Sequence, residues 1–252
     1  MKAKTIKGKS PGEIKTALEE SMADGYKPTL AICFISKSQD RKVISALLNA
    51  VGISIFGCTT NGEFIDEETE KGSAAILLMN MNKDYFRILF EEYPERNYRE
   101  VSSSIAQKAK AIFEMPAFLI GTSHAATDGE EILHGIEDVV GKEVNAYGGA
   151  AGDDYSFTET VVFTNGKESN NAMVCIAVDE TKVEIKGVAT CGWKAVGTEK
   201  IVTKSEGNHV YTVDHIPVLD ITAKYGGLEN VTPENNYLLV EIAANFPLQL
   251  QR

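Results

Sequence analysis

The chain has 252 residues, 43% hydrophobic and 24% charged, with a net charge of −11 and a pI near 4.9. That length carries one large domain or two smaller ones, each with a real core. The acidity repels phosphate backbones and anionic lipid, which argues against nucleic acid and membrane surfaces as partners. No run of residues approaches the roughly 18 apolar positions of a membrane span. The basic start MKAKTIKGKSPGE has no apolar stretch behind it, so it is not a secretory signal.

The first predicted helix starts at Ser10-Pro11-Gly12-Glu13. Ser10 caps, Pro11 suits the first helical position and Glu13 completes a capping box. Ile14, Ala17, Leu18 and Met22 then share a face, and Gly25 can end the helix. The apolar run TLAICFI (29–35) reads as a buried strand. A helix over 40–51 follows, capped by Asp40 with Val43, Ile44, Leu47, Leu48 and Val51 inward, and then a strand ISIFGC (53–58). SAAILLMN (73–80) and DYFRILFEEY (84–93) read as two strands joined at Met81-Asn82-Lys83.

The pattern then recurs: a helix over 97–114 with Val101, Ile105, Ala109 and Ile112 inward, a strand at 116–121, a helix capped by Asp128 with Ile132, Ile136, Val139 and Val140 inward, and a strand VNAYGG at 144–149. A hairpin turns at Asn165-Gly166, a strong short-range hairpin signal. AMVCIAV (172–178) and KVEIKGVATCGW (182–193) complete the second set of strands. Pro28 and Pro116 lie 88 residues apart, and Gly57 and Gly148 lie 91 apart. The expected fold is therefore α/β (or α+β). Two internally duplicated helix-strand-helix-strand-loop-strand-strand units, about 10–95 and 96–195, form one pseudo-symmetric domain. From about residue 200 a strand, a turn at Gly207-Asn208, a second strand and a short helix from Pro217 to Tyr225 are expected, and NNYLLVEIAANFPLQLQR begins a further apolar pattern.

The two units carry the same loop grammar, FGCTTNGEF (56–64) and YGGAAGDDY (147–155). Small residues after a strand let backbone amides approach a ligand. Thr59, Thr60 and Asn61 add hydroxyl and amide groups beside Cys58, while Glu63, Asp153 and Asp154 offer carboxylates next to Gly149 and Gly152. Such a set can hold a zwitterion, with amides and hydroxyls for its carboxylate and acids for its ammonium. The alternative is a pair of tight turns whose glycines serve geometry and whose acids face water.

Nucleotide fingerprints and the G-x-S-x-G elbow are absent. Ser123-His124, at a strand end in IGTSHAATDGEE, is the nearest nucleophile-base pair. With the second-loop acids it makes hydrolysis an alternative, and the first unit shares the serine (Ser36) but not the histidine. His124, His134, His209 and His215 show no metal-ligand spacing, and one of them can in principle ligate a haem. The four cysteines, Cys33, Cys58, Cys175 and Cys191, lack C-x-x-C and disulfide-framework spacing, which fits reduced thiols in the cytoplasm. Trp193 in CGWKAVG is either core or the aromatic wall of a pocket.

FGCTTNGEF, AYGGAAGDDYSF with VVFTNGK after it, GWKAVG and VTKSEGNHVYTVDHIPVLDITAKY, in that order, resemble the FIST domain from about residue 28 to the end. The resemblance implies an N-terminal duplicated sensory domain over 1–215 and, over 216–252, the truncated start of the FIST C-terminal region. It implies a cytoplasmic module without enzymatic activity that binds a small ligand, amino acids in particular, and relays it to a signalling partner such as a histidine kinase or chemoreceptor. Some members are described as haem-binding nitric oxide sensors, which is a further alternative. The ligand-binding residues expected from the motifs and their chemistry are Cys58, Thr59, Thr60, Asn61, Glu63, Ser123, Gly149, Gly152, Asp153, Asp154 and Trp193, with no metal.

Overall fold

A computed structural model describes the chain except residues 67, 94, 96, 124–126, 155, 157, 189–191, 193, 196, 208, 229–231, 233–236, 246 and 248–252. It divides into two compact units, Met1–Val188 and Ala189–Arg252.

The first unit contains two sheets. Strands β1 (Lys2–Gly8), β2 (Leu30–Ile35), β3 (Ser54–Thr59) and β6 (Ala74–Asn80) join β10 (Val162–Thr164) and β11 (Lys167–Ser169) in the order β1-β6-β2-β3-β10-β11. The second sheet holds β7 (Phe86–Glu92), β8 (Pro116–Thr122), β9 (Ala146–Ala150) and β12 (Ala172–Asp179) in the order β7-β12-β8-β9. Its four strands repeat the order and directions of β1-β6-β2-β3: two antiparallel pairs and then a parallel one. A short ribbon of β4 (Glu63–Ile65) and β5 (Glu68–Glu70) stands apart as a two-stranded sheet.

Helices α1 (Pro11–Met22) and α2 (Arg41–Ala50) cover one face of the first sheet, burying Ile14, Leu18, Ile44 and Leu48 against Ala31, Cys33, Ile35, Ile55 and Ile76. Helices α3 (Tyr98–Lys110) and α4 (Gly129–Val140) cover the second sheet, with Val101, Ile105, Ile132 and Ile136 against Phe118, Ile120, Met173 and Cys175. Between the sheets Leu30, Phe56, Cys58 and Val162 meet Ala117, Val174, Ile176 and Val178. The layers therefore run helix, sheet, sheet, helix, and alternation along each strand divides its side chains between a helix-facing and a sheet-facing core. The helix starts follow their caps: Ser10, Asp40 and Asp128 each accept a backbone N–H from the first turn. Helix α4 sits close against α3 because Gly135 has no side chain. A Cβ there would overlap Ser102 Oγ and the Arg99 carbonyl, and Ser103 Oγ donates to the Gly135 carbonyl at 2.9 Å.

Several expectations are corrected. The basic N-terminus, to which the sequence assigned no element, is a strand, held to β6 over seven paired residues from Lys2–Asn80 to Gly8–Ala74. The strands β6 and β7 are not a hairpin of one unit, because the turn after Asn80 carries the chain from the first sheet to the second. Val43, Val51 and Ile112, expected inward, are exposed at the ends of their helix faces. Residues 182–188 form no strand. Val183 and Ile185 pack instead against the intersheet core, and residues 189–191 and 193 of that expected strand lie outside the described residues.

The second unit, taken by itself, has a sheet of β13 (Val202–Glu206), β14 (His209–Val213) and β15 (Ile216–Pro217), followed by α5 (Val218–Tyr225) and α6 (Tyr237–Asn245). Val213, Ile221 and Ala223 are buried in it, and Lys200 pairs with Asp214 at 2.9 Å.

Candidate functional site at the crossing of two loops

In each half of the first unit a parallel strand pair, β2–β3 or β8–β9, ends at the same level. The residue after the second strand donates its N–H to the end of the first: Thr60 to the Ile35 carbonyl at 3.1 Å, Ala151 to the Thr122 carbonyl at 2.7 Å. The following residues of the two loops then meet. Gly152 N–H donates to the Thr59 carbonyl at 2.7 Å, and Asp153 N–H donates to Asn61 Oδ1 at 2.8 Å. At Gly152 a Cβ would crowd Asn61, whose backbone nitrogen would lie 2.8 Å away, so the small residue is what allows this crossing. Loops after the carboxyl ends of parallel strands are a common place for ligand sites in α/β folds.

The three loop acids differ. Glu63 is 2% exposed and accepts from Thr60 Oγ1 at 2.7 Å, Ser73 N–H at 3.1 Å and Ser73 Oγ at 3.0 Å, so it ties its loop to the start of β6. Asp153 is buried and accepts from Ser156 Oγ and from the N–H groups of Thr158 and Glu159, closing its own turn. Asp154 is half-buried with φ at +57°, a left-handed conformation that costs energy for a residue with a side chain. Its Oδ2 accepts from Ser36 Oγ at 2.9 Å, whereas its Oδ1 is buried with no partner among the described residues.

The expected site residues thus separate. Thr60, Asn61, Gly149, Gly152 and Asp154 keep exposed or half-buried surface near the crossing. Three others are built into the framework. Cys58 points between the sheets against Gly121, and burial pushes its thiol up to about 12. Thr59 Oγ1 both donates to the Val161 carbonyl and accepts Val161 N–H. Ser123, fully buried, does the same with Ala172 at 3.1 and 2.9 Å, so its hydroxyl is engaged by backbone rather than poised as a nucleophile. Trp193 and His124 lie outside the described residues.

Sequence reasoning missed three neighbours: Ser36, bonded to Asp154; Ser38, whose hydroxyl is 2.9 Å from that of Ser36; and Lys37, whose ammonium bonds Ser156 and Thr158. The signal for them was the shared serine after β2 and β8, weighed only as a nucleophile. Two open surface depressions, of about 630 and 600 Å³, lie between α3 and α4 and beside β1, and neither is lined by a residue of the two crossing loops. Among the described residues no group of three His, Cys, Asp or Glu side chains is placed to hold a metal ion, and no helix is long and apolar enough to cross a membrane.

A family model, the FIST N domain, matches residues 29–216, which takes in both loops, both parallel strand pairs and the β10–β11 hairpin. The chain belongs to the FIST family. FIST domains are generally sensory domains of signal-transduction proteins. Among curated proteins none matches it.

Proposed function

We propose that this FIST chain senses a small zwitterion, an amino acid or a close analogue, at the crossing of its two loops. The observation that carries the reading is Asp154: a strained residue whose buried Oδ1 has no donor among the described residues, next in sequence to the Asp153 that bonds the exposed Asn61. A buried carboxylate oxygen without a partner is costly, and a ligand ammonium is the strong donor it lacks. Lys37, one residue from the Ser36 that anchors Asp154, supplies a cation for the ligand carboxylate in exchange for its hydroxyl partners.

Thr60 and Asn61 belong to one half of the unit and Asp154 to the other. A ligand bridging them has a different affinity for each arrangement of the halves, which is the requirement for a switch. The repeated strand order supports an origin of the halves by duplication. The signal passes to a partner such as a histidine kinase or chemoreceptor. The free thiols of Cys33, Cys58 and Cys175 fit a reducing cytoplasm.

The test is a thermal-shift panel of amino acids, matched amines and matched carboxylic acids. At about a hundred times its dissociation constant a ligand of the folded state stabilises by roughly 2.7 kcal/mol. A shift given by an amino acid, reduced for its amine and its acid and lost in Asp154→Asn, supports the reading. A shift unchanged in Asp154→Asn removes the loop crossing as the site.

A further inference from the structure

The two sheets of the first unit differ at one equivalent place. On β3 the residues turned away from β2 are Ile55, Gly57 and Thr59, and the hairpin β10–β11 covers them. Thr59 N–H donates to the Val161 carbonyl at 2.9 Å, Phe163 lies opposite Gly57, and Ile55 N–H donates to Asn165 Oδ1 at 2.9 Å. The equivalent residues of β9 are Ala146, Gly148 and Ala150. The Asn145 carbonyl accepts from Phe118 N–H at 2.8 Å and Ala151 N–H donates to the Thr122 carbonyl, so in the alternation of a parallel ladder these three turn their N–H and C=O groups away from β8. None of the three has a partner on that side among the described residues, and Gly148, Gly149 and Ala150 are exposed.

The other edges of the two sheets carry the usual protection against strand addition. β1 reads KAKTIKG with three lysines, β11 reads KES, and β7 includes Arg87, Glu91 and Glu92. β9 reads AYGGA, with no charge and no proline. The chain as a whole is strongly acidic and disfavours close approach of copies, but this edge contributes nothing to that repulsion. Its outward groups are also self-complementary. In an antiparallel pairing about a two-fold axis at Gly148, Gly148 faces its copy and Ala146 faces Ala150, so each outward donor finds an outward acceptor.

We infer that β9 pairs with β9 of a second copy of this chain, joining two four-stranded sheets into one continuous sheet across a two-fold axis. Because β9 runs directly into Ala151, Gly152 and Asp154, the pairing also fixes the strand from which the second loop springs, which links assembly to the loop crossing.

The experiment is light scattering and sedimentation of the full chain over a range of concentrations, with hydrogen exchange read at the edge amides. The expected result is a species of twice the 27.4 kDa chain mass, with Ala146, Gly148 and Ala150 amides protected when concentrated and exchanging freely on dilution. Ala150→Pro removes one outward N–H from each copy and no bond to β8. It is expected to weaken the dimer by at least about tenfold. A wild-type chain that stays monomeric with freely exchanging edge amides overturns the inference, and so does a dimer in which those amides exchange freely. Should Ala150→Pro fail to fold, the concentration dependence of the wild-type amides decides by itself.

Discussion

The loop crossing makes a sharp prediction because two glycines near it have opposite surroundings. At Gly152 an added Cβ would overlap the Asn61 side chain and lie 2.8 Å from its backbone nitrogen, whereas at Gly149 it would meet nothing within 4 Å. Gly152→Ala must therefore push the loops apart and weaken two hydrogen bonds, Gly152 to Thr59 at 2.7 Å and Asp153 to Asn61 at 2.8 Å. Each bond contributes about 0.5–1.5 kcal/mol, and the steric displacement adds about 1–3 kcal/mol, of which local relaxation recovers part. The expected cost is about 2–4 kcal/mol, a fall in melting temperature of roughly 4–16 °C for a unit of this size. Gly149→Ala, the same chemical change three residues earlier, is expected to stay within about 0.5 kcal/mol of wild type. Urea unfolding followed by circular dichroism gives both numbers, provided the slopes agree. Equal stability of the two variants would refute the crossing as drawn.

The buried hydroxyls give a second prediction. Ser123→Ala and Thr59→Val each leave the N–H of Ala172 or Val161 without its side-chain acceptor, so each is expected to cost about 1–3 kcal/mol in urea unfolding without changing the oligomeric state. Gly135→Val places a branched side chain where α4 touches Ser102 and the Arg99 carbonyl, and a loss of about 2–4 kcal/mol, or failure to fold, is expected from melting curves. The buried thiols give a pH dependence. Burial raises Cys58 from its ordinary 9.0 to about 12, and it raises Cys33 and Cys175 as well. A folded-state value above the unfolded one means stability is fully present below pH 9.0 and falls as pH rises toward about 12. Urea midpoints across that window should fall, and these three thiols should react with a thiol reagent only on unfolding.

Much of the framework was legible because it rests on local chemistry. Ser10, Asp40 and Asp128 cap their helices through their own side chains, and the apolar runs at 30–35, 74–80 and 172–179 are buried strands because no water is needed on either face. What was not legible depends on partners distant in sequence. Lys2–Gly8 has too few apolar residues to declare itself a strand, and its pairing with β6 supplies the reason. The hairpin at Asn165-Gly166 is visible locally, but nothing local says that it crosses to the sheet of the other half and pairs with Cys58 and Gly57. At the candidate site, the repeated loop grammar pointed to the two segments that cross. It could not tell Asp154, with an unpartnered oxygen, from Glu63 and Asp153, which are consumed by Ser73, Thr158 and Glu159. The same limit hid the fact that Cys58, Thr59 and Ser123 face inward, because strand phase is set by packing against the second sheet.

The central claim is tested most directly by calorimetric titration of the wild-type chain and Asp154→Asn with the amino acid that gives the largest thermal shift, and with its amine analogue. Asparagine accepts the left-handed backbone and keeps an oxygen for Ser36, so the variant isolates the charge. The account predicts saturable one-site binding to the wild type, weaker binding of the amine, and a loss of at least about tenfold in affinity for Asp154→Asn. Equal affinity in the two proteins, or no binding of any amino acid to a folded wild-type chain, would contradict it.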